Sequence, residues 1–233
     1  MRRDILEETL RLFGRHFHLF TLIALTVWLP GHLVINYIDF FGAAKGGGDA
    51  AARGFRVALS VEAVFGPLVV ASTLAALGRI ARGEPSTYAR ALIDGLAAWP
   101  RLFMARLVAS VLVLAGLVAL VVPGLVILVR LSFVDALVAL EGVPLGAALR
   151  ASNALTQGRR RAIFWTGGLL FAAVFSAALT LSTVAGAAGH FVVQVLADCI
   201  IAVTQTVFTI ALFLFYREAR AEARVDSPAG SVV

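Results

Sequence analysis

The residues of this sequence that could do chemistry are ionisable side chains inside long apolar runs. Each is expensive to hold in hydrocarbon and so marks a place where something polar must meet it. Four stand out: Glu62, Arg130, Asp135 and Asp198. Three carboxylates against one arginine admit two kinds of chemistry. One is a buried ion pair that fixes the register of neighbouring helices. The other is an excess carboxylate that binds a proton, a cation or a cationic headgroup in a cavity. A second set lies where an apolar run ends, with Glu141 at its end and Arg150 and Arg159 a helix further on, the spacing of a pairing at a membrane surface. No catalytic group is assigned. His16, His18, His32 and His190 form neither an H-E-x-x-H pair nor another compact ligand set, and no glycine-rich phosphate loop joins a strand to a helix. No metal or cofactor is expected either, and Cys199, the single cysteine, can form no intramolecular disulfide.

The elements that must position these charges follow from composition. With 60% apolar residues the chain lies far from the balance of a soluble domain. The expected class is an all-α, polytopic membrane protein. The apolar spans run over 18–40, 57–80, 102–122, 124–141, 162–184 and 190–216, each near the ~20 residues that cross a bilayer. The third and fourth are separated only by Pro123-Gly124. One helix over both would extend about 60 Å, twice the hydrocarbon thickness, so a tight hairpin is expected with those two residues at its turn. Gly186 and Gly189 mark a similar turn before the last span. Residues 1–225 are read as a single six-helix transmembrane domain and 226–233 as a disordered C-terminal tail. The first residues carry mixed charge with no small-residue cleavage pattern, the mark of a mature segment rather than a signal peptide.

Orientation follows from the basic residues. Sixteen of the twenty lie before the first span, around the second and fourth connections, or after the sixth span; Arg106 is counted with the second connection. Only Lys45, Arg53 and Arg56 lie in the Gly/Ala-rich 41–56 loop on the other side. Both termini are therefore expected in the cytoplasm, in a multi-pass protein of the cytoplasmic (inner) membrane. The same asymmetry explains the net charge of +6 without nucleic acid. A pattern of amphipathic segment, breaker, arginine and aromatic recurs three times, ending at Gly14-Arg15-His16-Phe17, Trp99-Pro100-Arg101 and Gly158-Arg159. Three short amphipathic helices on the cytoplasmic interface, each feeding two spans, are the expected architecture. Membrane lipids are the expected partners, together with a membrane-protein partner or a homo-oligomer. Gly167, Gly168, Ala172, Ala173, Ala177 and Ala178 permit close contact of the fifth span, within the chain or between copies.

Residues 123–161 carry a further signal. Pro123-Gly124, Arg130, Phe133, Glu141, the Ala-Leu-Arg-Ala-Ser run at 148–152, Thr156 and Gly158-Arg159 resemble the signature of six-helix bacterial membrane proteins related to the glycerophosphoryl diester phosphodiesterase membrane domain. That resemblance implies six helices. It places phosphodiesterase chemistry in a separate soluble barrel for which these 233 residues have no room. The function expected is structural or accessory, associated with lipid and not enzymatic; the alternative is a transporter or lipid-handling protein that uses the intramembrane charges. Depth along the spans, at 1.5 Å per residue, puts all four charges in the outer half. Arg130 and Asp135 are about 140° apart on one helix, so Arg130 is expected to pair with Glu62 or Asp198 while Asp135 points elsewhere. Glu141 is expected to hold the third amphipathic helix through an arginine.

Overall fold

The computed structural model describes residues 2–43 and 50–225, which form helices joined by short turns, with no strand among the described residues. In chain order they are α1 (Arg2–Arg15), α2 (Phe17–Ala43), α3 (Ala50–Ala81), α4 (Tyr88–Ala119), α5 (Val121–Arg130), α6 (Val134–Glu141), α7 (Leu145–Leu155), α8 (Arg160–Ala188) and α9 (Phe191–Val225). Among the described residues six helical stretches are long and apolar enough to cross a membrane: Phe17–Ile38, Phe55–Ala81, Tyr88–Ala119, Val121–Glu141, Arg160–Ala188 and Phe191–Ala223. The protein is thus an all-α bundle of the multi-pass type. The 226–233 tail, and residues 44–49 of the loop expected over 41–56, lie outside the described residues. The rest of that loop is helical, because α2 runs on to Ala43 and α3 begins at Ala50.

Three local departures from the sequence reading have physical causes. The amphipathic 88–99 segment is not a separate helix but the first three turns of α4, which passes through Pro100 without ending. Proline inside a helix costs about 3 kcal/mol, so something must offset it. Ala91, Gly95, Ala98, Leu102 and Ala105 form one buried stripe that packs along α3 on both sides of the proline. Small residues bring the two helices very close: a Cβ built on Gly95 would lie 2.7 Å from both the Cα and the N of Ser72.

The hairpin between α4 and α5 turns at Leu120, whose φ of −166° and ψ of 146° are extended, and not at Pro123-Gly124. Pro123 sits in the first turn of α5, where a missing N–H costs nothing. Gly124 serves the close approach of the two helices, since a Cβ there would lie 2.7 Å from the N of Leu117. At the next hairpin Gly189 does take the left-handed conformation, φ 65°, and its N–H caps α8 on the carbonyl of Gly186.

The fourth span is broken. Between α5 and α6 the residues Leu131, Ser132 and Phe133 form a turn, which frees backbone groups inside the bundle. Ser152 of α7, fully buried, takes them up. Its hydroxyl donates to the carbonyl of Arg130 at 2.7 Å and accepts the N–H of Phe133 at 3.1 Å. Alanine at this position leaves a buried donor and acceptor unmade. Ser152→Ala should therefore lower stability by about 2 kcal/mol, read from the thermal midpoint of detergent-solubilised protein, whereas Ser176→Ala on exposed α8 should change it little.

The tightest packing lies toward the arginine-rich end. Phe20, Leu77, Leu102, Phe133, Leu137, Ile210 and Leu214 are each almost completely buried, and α6 is enclosed by α3, α4 and α7. Toward the other end the helices splay. There α8 leans chiefly on α9, with Leu169, Phe171, Phe175 and Leu179 exposed. A helix bundle closed at one end and open at the other must contain a cleft between the two regimes.

Candidate functional site

The cleft is built from three helical stripes. Glu62, Gly66, Val69, Val70 and Thr73 lie on one face of α3, spaced by three or four residues, and Phe171, Val174, Phe175 and Ala178 do the same on α8. Ala202, Gln205, Thr206 and Thr209 form the α9 wall, while Arg106 of α4 and Trp28 of α2 close the ends. Together they enclose about 380 Å³. The α8 wall is apolar, with Phe171 and Phe175 stacked at 5.5 Å; the polar groups, Glu62, Thr73, Gln205, Thr206 and Thr209, come from α3 and α9. A smaller cavity of about 110 Å³ adjoins it, sharing Trp28, Glu62, Ala202 and Gln205 and adding His32, Ile201 and Asp198.

The polar wall is incompletely satisfied. Thr73 and Thr206 are 1% and 5% exposed, yet neither hydroxyl has a hydrogen-bond partner, and Nε2 of His32 is likewise buried and unpartnered. Nearly all buried polar groups in folded proteins find a partner, so three orphans on adjoining cavities mark a place for polar atoms from outside the chain.

Charge is arranged in two groups. Arg106 donates through Nε to Asp135 at 3.0 Å, tying α4 to α6. Glu62 makes no ion pair within 4 Å among the described residues, although its carboxylate and the Arg106 guanidinium both converge on Gly66. A Cβ on Gly66 would lie 2.7 Å from Oε1 of Glu62 and 3.8 Å from Nη1 of Arg106. Asp198 is held by neutral donors alone, from Asn36 at 2.8 Å and Gln194 at 3.3 Å. With Arg106 engaged by Asp135, two carboxylates on the cavity walls form no ion pair of their own among the described residues.

The sequence expectation about Arg130 fails. Arg130 is exposed and forms no ion pair, with Glu62, Asp198 or another carboxylate, among the described residues. The break after Arg130 is the reason. It ends α5, so the helical angle to Asp135 does not apply, and the buried face of α5 is set by Gly124 and Val129. Asp135 pairs instead with Arg106, which was counted with the cytoplasmic arginines. A signal for Arg106 existed in the sequence, since it falls five residues inside the 102–122 span. The polar stripe of Gln194, Asp198, Gln205, Thr206 and Thr209 was also legible as one face of an apolar helix.

The expected partner of Glu141 is corrected as well. Glu141 accepts from Tyr216 and from Arg220, with Nε at 2.7 Å, so it holds α9 rather than α7. Arg159 pairs with Glu222, while Arg150 is exposed with no ion pair among the described residues. The cause is the length of α9, which carries its last turns past Glu141 and presents arginines there. Arg217 joins the same end to Glu8 of α1 at 2.6 Å. At the connection of α3 to α4, the hydrogen bond from Arg82 and the nearby Arg79 hold the Glu84 carboxyl below the usual range. Burial and the neighbouring Arg15 push the His16 imidazole, between α1 and α2, below the usual histidine range.

Among the described residues no three His, Cys, Asp or Glu side chains gather as ligands for a metal ion. No protein-family model, curated protein or solved structure matches the chain, and the reading of the site therefore rests on its own geometry.

Proposed function

We propose that this protein takes an amphiphile from the membrane into the cleft between α3, α4, α8 and α9, as a lipid-handling or transport protein rather than a purely structural one. One observation carries the proposal: the unpartnered hydroxyls of Thr73 and Thr206 and the carboxylate of Glu62, which forms no ion pair among the described residues, line a cavity that Phe171 and Phe175 also line. A structural ion pair needs a closed contact, and it is supplied separately by Arg106 and Asp135. A cavity with one polar and one apolar wall suits a ligand with a head and a tail.

The arginine distribution supports both termini in the cytoplasm of a cell with an inner membrane, with α1, the start of α4 and α7 at that interface. The exposed Arg150 of α7, Gln157 of the turn after it and Arg161 at the start of α8 fit contact with lipid headgroups. The resemblance of residues 123–161 to the phosphodiesterase membrane domain agrees with a membrane module that acts on lipid without itself hydrolysing it.

Filling the cleft tests this function. Ala178 lies on the apolar wall, and phenylalanine there would occupy the volume beside Phe175 without touching a charge. Ala178→Phe should cut labelling of α8 and α9 by a photoactivatable phospholipid about tenfold, the equivalent of ~1.4 kcal/mol in affinity. Unchanged labelling, or labelling confined to α4 and α5 in the wild type, would remove the cleft as the binding site.

A further inference from the structure

The smaller cavity has the chemistry of a receptor for one kind of head. Glu62 of α3, Asp198 of α9, and His32 and Trp28 of α2 all line it. Asp198 already receives one hydrogen bond on each oxygen, from Asn36 and Gln194. Those two bonds fix its orientation and leave lone pairs free, because an ionised carboxylate offers about four acceptor sites. The neutral donors leave its charge uncompensated. Glu62 lacks an ion pair too, and Nε2 of His32 is buried without a partner.

We infer that the ligand is an ammonium-headed amphiphile, its head seated between Glu62, Asp198 and His32 and its chain lying in the adjoining cleft against Phe171 and Phe175. This rests on the amphiphile-binding function proposed above and specifies its substrate class. An ammonium group carries three N–H donors and no acceptor. The cavity offers three acceptors from three helices: the carboxylates of Glu62 and Asp198, and Nε2 of His32 in the tautomer protonated on Nδ1. Trp28, 7% exposed and lining both cavities, adds the indole that cations favour among aromatic partners.

Size and charge reject the competitors. At about 110 Å³ the small cavity exceeds a bare ion with its ligands closed around it, as a water molecule occupies only about 30 Å³. A divalent metal needs its ligands drawn in to about 2 Å around one point, and no three His, Cys, Asp or Glu side chains gather that closely among the described residues. An anionic head would meet two carboxylates in a site whose nearest arginine is engaged by Asp135. An uncharged alcohol would satisfy one acceptor and leave both charges uncompensated. The continuity of the two cavities through Glu62, Trp28, Ala202 and Gln205 lets one molecule occupy both.

Trp28 provides the readout. In a Trp99→Phe, Trp165→Phe background, intrinsic fluorescence reports Trp28 alone. Decylammonium, decanol and decyl sulfate are titrated into the protein in neutral maltoside micelles at pH 7. Decylammonium should shift Trp28 emission saturably at about one-tenth the concentration of decanol or less, a difference of ~1.4 kcal/mol. Decyl sulfate should be weaker than decanol. In Glu62→Gln/Asp198→Asn, checked for folding by its thermal transition, the preference for decylammonium over decanol should vanish. If that double variant does not fold, each single variant should reduce the preference severalfold. Equal responses to all three probes would overturn the ammonium head while leaving an amphiphile cleft in place. No saturable response to any probe would overturn both. A preference that survives the carboxylate substitutions would show that these acids do not hold the head.

Discussion

Gly95→Ala is expected to unfold or severely loosen the bundle in mild detergent. A single methyl group there would stand 2.7 Å from two backbone atoms of Ser72, and backbone cannot yield as the end of a flexible side chain can. Overpacking of a tight contact costs about 1–3 kcal/mol and more where no rotamer can move. We expect about 3 kcal/mol, lost at the contact that carries α4 through Pro100. The effect should reach the site as well, because α3 supplies Glu62 and α4 supplies Arg106. Thermal unfolding with Gly167→Ala as control is decisive. Gly167 has open space where a Cβ would go, so its variant should behave as wild type; equal midpoints for the two would refute the close approach.

Arg106→Met should be the most damaging change of a charged group in the bundle. It leaves Asp135 without its only ion-pair partner among the described residues and removes a cation close to Glu62. Breaking a fully buried pair costs about 3–5 kcal/mol; the two side chains are 35% and 27% exposed, so about 2–3 kcal/mol is the expected loss. The double variant Arg106→Met/Asp135→Leu should recover much of it, since replacing both ions removes the stranded charge. By contrast, Arg130→Met should leave stability within about 0.5 kcal/mol, as expected of an exposed side chain without an ion pair. Thermal midpoints of the four proteins test the assignment. If Arg130→Met proved the more harmful arginine change, the pairing of α4 with α6 would not be what anchors the intramembrane charges.

The sequence by itself determined the class of fold. Apolar runs near 20 residues, separated by glycine, proline and arginine, could form little except membrane-crossing helices, because hydrogen bonding of the backbone within each helix is the local solution in hydrocarbon. It also singled out Glu62, Asp135 and Asp198, whose position in apolar runs needs no tertiary information to be unusual. Partners were another matter. Arg130 and Asp135 were placed on one continuous helix, but Ser152, distant in sequence, stabilises a break between them, and the break turns Arg130 outward while Asp135 meets Arg106. Glu141 found Arg220 because α9 extends far enough to pass it, a length that hydropathy alone ended too early. The two cavities were decided wholly by packing. Glycine and alanine stripes draw α3 and α4 together at one end, α8 rests mainly on α9 at the other, and the space left between them is a property of how helices meet.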